Sequence, residues 1–278
     1  MKNNTRRTNS LFQLSIAVVL SLFLFSCAHT KNSQTQTFRI LKADRHQAAI
    51  IIHYPIIKEN DAALISDLIR KALVRANRWG TLQHTLTITI HSSHKELEQA
   101  IGVRDYNWLR AWATFDTIDI QTPGTWGGAT INERVLKLLT HELTHVIMYQ
   151  ATSTKDTWQG IFLPLWFREG MASVTATQQS WRYSKDALRD YFQHTTTDIS
   201  LLANPESLPK SHNKLVYSIS HWAFADLIAT FGDKKVKKLL KTIQNGNDFK
   251  QAWNSVFPFD EDAFLSHWQK GLGDTTND

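Results

Sequence analysis

The stretch HTLTITIH, residues 84–91, alternates apolar and polar positions with period two, the signature of a strand with one buried face. FRIL (38–41) and AAIIIHYPI (48–56) are rich in β-branched residues and predict further strands. NDAALISDLIRKALVRANRWG (60–80) changes to helical spacing, with Leu64, Leu68, Ala72 and Val74 as its apolar positions. Asn60 or Asp61 is placed to cap that helix and Gly80 to end it. SSHKELEQAIG (92–102) predicts a short helix, and AWATFDTIDIQTPG (111–124) one or two strands closed by Pro123 and Gly124. The remainder is helical in pattern, over about 131–151, 165–177, 184–193, 216–231, 233–244, 247–256 and 260–270. A loop with two prolines, 202–214, interrupts it. A sheet lobe over 38–150 followed by a helical lobe over 151–278 is an α+β arrangement.

The N-terminus follows another pattern. MKNNTRRTNS carries Lys2, Arg6 and Arg7 and no acid, and fifteen largely apolar residues follow at 11–25. A basic start and a short apolar run predict a secretory signal over 1–26; an uncleaved anchor is the alternative, although a membrane span wants about 20 apolar residues. The run ends in LFSC, and Leu24, Ser26 and Cys27 resemble the lipobox of bacterial lipoproteins. That resemblance implies cleavage before Cys27, acylation of it, and membrane attachment through the lipid. Ala28 in place of Asp resembles the outer-membrane sorting default of Gram-negative cells, which places the chain in the cell envelope, facing the periplasm. Cys27 is the single cysteine, so no intramolecular disulfide forms. AHTKNSQTQT (28–37) is polar and aperiodic; with Cys27 it reads as a tether reaching about 35 Å when extended.

Composition adds two constraints. Hydrophobic residues make up 42% and aromatics 11% of the chain, enough for a packed core and against disorder. The formal charge of +6 falls to +3 without Lys2, Arg6 and Arg7. The remaining dense basic run, DKKVKKLLKT (233–242), fits the solvated face of an amphipathic helix, so no nucleic-acid partner is expected.

The candidate chemistry lies in THELTHVIMY, 140–149. Thr130 and Glu133 form T-x-x-E, a capping-box pattern, and no Gly or Pro interrupts 131–149. Residues four apart share a helix face, so His141 and His145 present two imidazoles to one point, as a tetrahedral zinc requires. Glu142 points elsewhere and is placed to take a proton from a water on the metal. With 12 histidines and 8 glutamates in the chain, a solvent-facing or core pair of histidines is the plainer alternative.

A third ligand decides between them. Beyond His145 the glutamates are Glu169, Glu206 and Glu261. Glu206 sits in the proline-bounded loop, and Glu261 starts a helix, where an acid is ordinary. Glu169 lies in IFLPLWFREGMASV, an apolar helix opened by Pro164, where a carboxylate is costly unless paired or metal-bound. Pairing with Arg168 is the alternative, weakened because helix neighbours point about 100° apart.

HELTH followed by LPLWFREGMA resembles the gluzincin metallopeptidases, and most resembles the bacterial peptidase MA-like group. Its pattern of H-E-x-x-H and then P-x-W-x-x-E-G-x-A is matched by Pro164, Trp166, Glu169, Gly170 and Ala172. LVYSISHWAFADLIATFG and GNDFKQAWNSVF look like that group's later helices, so the resemblance covers roughly residues 80 to 271. It implies a zincin-like fold with the active-site helix between the two lobes. It further implies Zn2+ held by His141, His145 and Glu169, Glu142 as general base and proton shuttle, and peptide hydrolysis. A Tyr or His often supplies a second oxyanion donor in such folds; Tyr217 is the candidate here and His221 the runner-up. Ser173 stands four residues after Glu169, where thermolysin-like relatives often carry an Asp that orients a histidine ligand. AWATFDTIDI is the candidate edge strand for pairing with extended substrate, or else an ordinary core strand. A catalytically silent zinc-binding lipoprotein is the reading of another class, and cell-wall peptide stems are an alternative substrate.

Overall fold

The computed structural model describes residues 36–42, 48–128, 130–195 and 212–272. The expected signal segment, Cys27 and most of the tether lie outside the described residues. Among those residues no helix is long and apolar enough to cross a membrane.

The alternating stretches become a five-stranded mixed sheet. Its strands are β1 (Gln36–Lys42), β2 (Ala49–Pro55), β3 (Leu86–His91), β4 (Ala111–Ala113) and β5 (Thr117–Gln121). Their order is β1-β2-β3-β5-β4. The β2–β3 and β3–β5 pairs are parallel, and β1 and β4 run antiparallel to their neighbours. Register stacks Ile50 beside Leu86, Ile52 beside Ile88, and Ile88 and Ile90 beside Ile118 and Ile120. All of these are buried, which explains why a slip of one residue is not tolerated.

The helices are α1 (Glu59–Ala76), α2 (His94–Ile101), α3 (Ile131–Thr152), α4 (Leu165–Thr175), α5 (Lys185–His194), α6 (Asn213–Gln244), α7 (Phe249–Val256) and α8 (Glu261–Gly271). α1 buries Ile65, Ile69, Leu73 and Ala76. Val74, expected on the apolar face, is instead exposed, because it projects away from that stripe. The helix starts earlier than its expected caps. Asp61, inside its first turn, accepts from the Gly124 N–H at 2.9 Å and from the Thr122 hydroxyl, tying α1 to the turn that leads to α3. Asp61→Ala should lower stability by about 1.5–3 kcal/mol, the worth of hydrogen bonds to a charged acceptor. Urea unfolding monitored by circular dichroism measures it, and an unchanged midpoint would show the tie to be idle.

From Leu139 to Met148 every residue of α3 is buried, so it is covered on all sides. A buried amide sets its position against the strands: Gln150 Oε1 accepts from the Gln83 and His84 N–H groups at 2.8 and 3.2 Å, while its Nε2 donates to the Phe115 carbonyl at 2.8 Å. The expected capping box is absent. Thr130 has φ −100° and ψ 26°, not the extended backbone a capping side chain needs, and its hydroxyl caps nothing. Glu133 pairs with Lys137 at 2.8 Å, one turn on.

On the far side of α3, α4 packs against α6, α7 and α8 through Trp166, Phe167, Phe224, Trp253 and Phe264. The Trp166 indole donates to Glu261 Oε1 at 2.6 Å, which accounts for an acid at the start of α8 and removes Glu261 from the ligand candidates. The two helices expected at 216–231 and 233–244 are one element broken at Gly232, where φ is +73°. In the basic run, Val236, Leu239 and Leu240 are buried and the lysines face outward, as the amphipathic pattern predicts.

Candidate metal centre

Helix periodicity brings His141 and His145 together, and packing of α4 on α3 brings Glu169 to them. Their Nε2 atoms are 3.1 Å apart, and Glu169 Oε2 lies 3.3 Å from the first and 3.6 Å from the second. A tetrahedral zinc with bonds of 2.0–2.1 Å spaces its ligand atoms about 3.3 Å apart. The three atoms are therefore spaced as three ligands of one such ion would be, and all three residues line the cleft. Among the described residues this is the sole group of three His, Cys, Asp or Glu side chains close enough to hold a metal ion. All three residues are buried. Burial alone would raise the Glu169 carboxyl, yet the facing imidazoles of His145 and His141 hold it well below the usual carboxylate range. Arg168 Nε approaches only to 3.7 Å of Glu169 Oε1, so the histidines rather than the neighbouring guanidinium are its main partners. The donor set of two imidazoles and one carboxylate suits Zn2+.

Gly170 makes that arrangement possible. A Cβ there would lie 2.2 Å from the Ser220 carbonyl oxygen and 2.6 Å from Phe224 Cβ, so only glycine lets α4 sit this close to α6. The E-G pair in the sequence thus joins a ligand to the contact that positions it.

Glu142 lines the same cleft, beside the triad and the Ala113 backbone. Burial pushes its carboxyl up to about 7, with His141 opposing and Glu169 adding to the rise. A dication held by the triad would draw it back toward the ionised form. Tyr217, from α6, faces the cleft and is half-buried. Its ring meets Trp108 at 5.8 Å, and the Arg182 guanidinium sits over it at 5.3 Å. Burial, and then the charge of Glu169, hold its hydroxyl well above its ordinary value, so it remains a proton donor. His221 is turned away from the cleft. Its Nδ1 is 2.9 Å from Ser173 Oγ, and burial, with Arg182 nearby, pushes it down to about 4. Ser173 also accepts from Arg182 Nε and Nη2, both at 3.2 Å. It therefore serves α6 and Arg182, not the histidine ligands. The Nδ1 atoms of His141 and His145 have no hydrogen-bond partner among the described residues.

The cleft holds about 950 Å3. β4 forms one wall and is the edge of the sheet, paired only with β5. The Arg110 carbonyl accepts from Gln121 N and Thr114 N donates to Thr117 O, so the alternate residues Ala111 and Ala113 turn their backbone groups outward, into the cleft. The expected edge-strand role thus fits β4, whereas β5 is interior. His91 and His94 form no second metal pair: His91 Nε2 is 2.7 Å from Asp119 and His94 Nε2 3.4 Å from Glu98.

Several cleft residues carry no local sequence signal. Arg110, Arg134 and Arg182 arrive from three separate segments. Tyr149 was the most accessible to sequence reasoning, since it continues the i, i+4 series of His141 and His145 and stacks on His145 at 6.1 Å between centroids.

The chain resembles known proteins at two levels. Its similarity to an M1 zinc metallopeptidase variant from Deinococcus radiodurans has a TM-score of 0.42 at 12% identity, over 85% of this chain and 52% of that one. For an aminopeptidase N family protein from Idiomarina loihiensis the TM-score is 0.43 at 12% identity, over 84% and 46%. This chain spans about half the length of each. No curated protein matches it. The family model of the Peptidase MA superfamily matches residues 69–273, well over half of the sequence. The H-E-x-x-H helix, the P-x-W-x-x-E-G helix and the α+β arrangement around them accordingly place this chain in the Peptidase MA superfamily.

Proposed function

We propose that the protein is a zinc-dependent peptidase, held in the bacterial cell envelope by a lipid on Cys27. The observation that carries the catalytic reading is a group of two histidines and a glutamate fit to hold a metal, lining a cleft that also contains Glu142 and the edge strand β4. A bound zinc would supply a Lewis acid that acidifies a water and polarises a carbonyl. Glu142 takes the proton from the attacking water and passes it to the leaving amine. The outward backbone groups of Ala111 and the Ala113 carbonyl align an extended peptide across the site. The Tyr217 hydroxyl donates to the oxygen that gains charge as the carbonyl is attacked. For Tyr217→Phe we expect kcat to fall about 10²–10³-fold with little change in KM, the pattern of a donor felt mainly in the transition state. Steady-state kinetics decide the point, and a purely KM effect would assign Tyr217 to ground-state binding.

The direct test uses purified residues 28–278 with metal analysis and an unbiased peptide-library digest. About one zinc per chain is expected, with cleavage lost on chelation and restored by zinc. A zinc-loaded protein that leaves the whole library intact would overturn the peptidase reading and favour a silent zinc-binding lipoprotein. The basic start, the apolar run and LFSC support the envelope reading. Mass spectrometry of the N-terminal peptide tests it, with an acylated Cys27 expected and an unmodified internal cysteine counting against it.

A further inference from the structure

The charges on the cleft walls point to a class of substrate. Apart from Glu142 and Glu169, the described residues that line the cleft include no acid, and four arginines stand there: Arg110, Arg134, Arg168 and Arg182. Arg168 and Arg182 belong to the surroundings of Glu169 and Tyr217. Arg110 and Arg134 are different. Arg110 precedes β4, and its Nη1 donates to the Asn107 and Leu109 carbonyls at 2.8 and 2.9 Å. Arg134 lies in the first turn of α3, and its Nη1 donates to the Trp126 and Gly127 carbonyls at 3.1 and 3.0 Å. Its guanidinium also sits 5.9 Å from the centre of the Trp126 ring. Each is thus held by backbone oxygens through one nitrogen, leaving its other nitrogens for a ligand. Neither has a carboxylate partner among the described residues. Arg110 feels the charge of Arg134: partial burial, and then Arg134, hold its guanidinium below its ordinary value.

Two like charges held in one cleft without a counter-ion repel each other unless an anion joins them. We propose that Arg110 and Arg134 bind a carboxylate of the substrate, so that the cleft selects peptides bearing an anionic group and disfavours those that would present a free amino terminus there. This inference rests on the peptidase reading and names the substrate class of the same site. A planar carboxylate is the match for paired guanidinium forks. An α-amino group, by contrast, would find no acidic partner in the cleft beyond the two carboxylates of the metal centre.

Two backbone spacings set the scale on which this anion would lie from the metal centre. Along β4, Arg110 precedes Ala113 by three residues, about 10 Å of extended chain. Along α3, Arg134 precedes His141 by seven residues, about 10 Å of helix. Both are backbone separations on the scale of three residues of extended peptide, so the test scans the carboxylate along the peptide near that distance. The carboxylate belongs either to an Asp or Glu side chain at that distance or to the peptide's own C-terminus.

Calorimetric binding to the zinc-loaded full-length protein separates these sources. The probes are three peptides of otherwise identical sequence: one with a single internal Asp and an amidated C-terminus, one neutral with a free C-terminal carboxylate, and one neutral and amidated. At least one anionic peptide should bind about tenfold or more tightly than the neutral amide, with that advantage shrinking as salt rises. In the doubly substituted R110Q/R134Q protein the ratio should collapse toward one, while R110K/R134K should keep only the part owed to charge and lose the part owed to the planar fork. Equal binding of all three peptides by the wild type would overturn the proposal without any variant, as would an advantage that survives R110Q/R134Q. Cleavage is scored separately by mass spectrometry, with Asp scanned along the peptide. Tight anionic binding without cleavage would fail the peptidase reading and leave the anion site standing. Cleavage that ignores the position of Asp and the state of the C-terminus would do the reverse. Where peptides are cut, the preferred Asp or terminal carboxylate should lie two to three residues from the cut.

Discussion

Glu142→Gln should lower kcat/KM by about 10³-fold or more, while zinc content stays at wild-type level. General-base assistance is typically worth 10²–10⁴-fold, or roughly 3–5 kcal/mol of barrier. Gln keeps the shape and loses the ability to accept a proton. The proposed zinc ligands are His141, His145 and Glu169, which this substitution leaves in place, so the metal should remain bound. In the metal-free protein the thermal melt should rise slightly, since burial raises the Glu142 carboxyl to about 7 and a neutral amide avoids that desolvation. The outcome that sinks the mechanism is undiminished hydrolysis by a zinc-replete, folded Gln variant. Loss of zinc together with activity would instead move Glu142 into the ligand set.

Gly170→Ala should be the most damaging of the small substitutions, with a stability loss of about 3 kcal/mol or more. The added methyl would meet backbone oxygen and a Cβ on α6, neither of which is the movable end of a side chain. Overpacking of a rigid contact usually costs about 1–3 kcal/mol, and more where the backbone must move. Relief requires α4 to withdraw from α6, and Glu169 is the preceding residue on α4. Zinc affinity should therefore fall in the same variant. Chemical denaturation measures the first effect and competition with a chelator of known affinity the second. If Gly170→Ala unfolds at the wild-type midpoint and keeps its zinc, the close approach of α4 and α6 does not hold Glu169 in place. A variant that folds stably but loses zinc would locate the whole effect at the ligand.

Most of the metal centre could be read locally. His141 and His145 are four residues apart on an uninterrupted helix, and helix geometry alone makes them converge. Glu169 stood out because an unpaired acid in an apolar helix is costly. The Pro164–Ala172 pattern supported it. The helix spans over 131–151 and 260–270 also follow from local periodicity, and the observed helices differ by a residue at the ends. Caps were less legible. Thr130 has the right neighbours for a capping box and the wrong backbone, and Asp61 has the right chemistry for a cap and a tertiary partner instead.

The sequence by itself determined the chemical types and their spacing: two imidazoles and a base on one helix, a carboxylate followed by glycine on another, and strands marked by alternation. These are short-range properties, set by the 3.6-residue and 2-residue periods of the backbone. Only the tertiary structure decided which groups share the cleft. It turned Tyr217 toward the metal site and His221 toward Ser173, although both lie on α6 one turn apart, because neighbouring helices cover one and leave the other facing the opening. It made β4 an edge and β5 an interior strand, since order in a sheet follows from pairing between distant segments. It also brought Arg110 and Arg134 into one cleft. Their charges act through space, so the separation along the chain that hides the pair from sequence reasoning has no bearing on the field they create in the cleft.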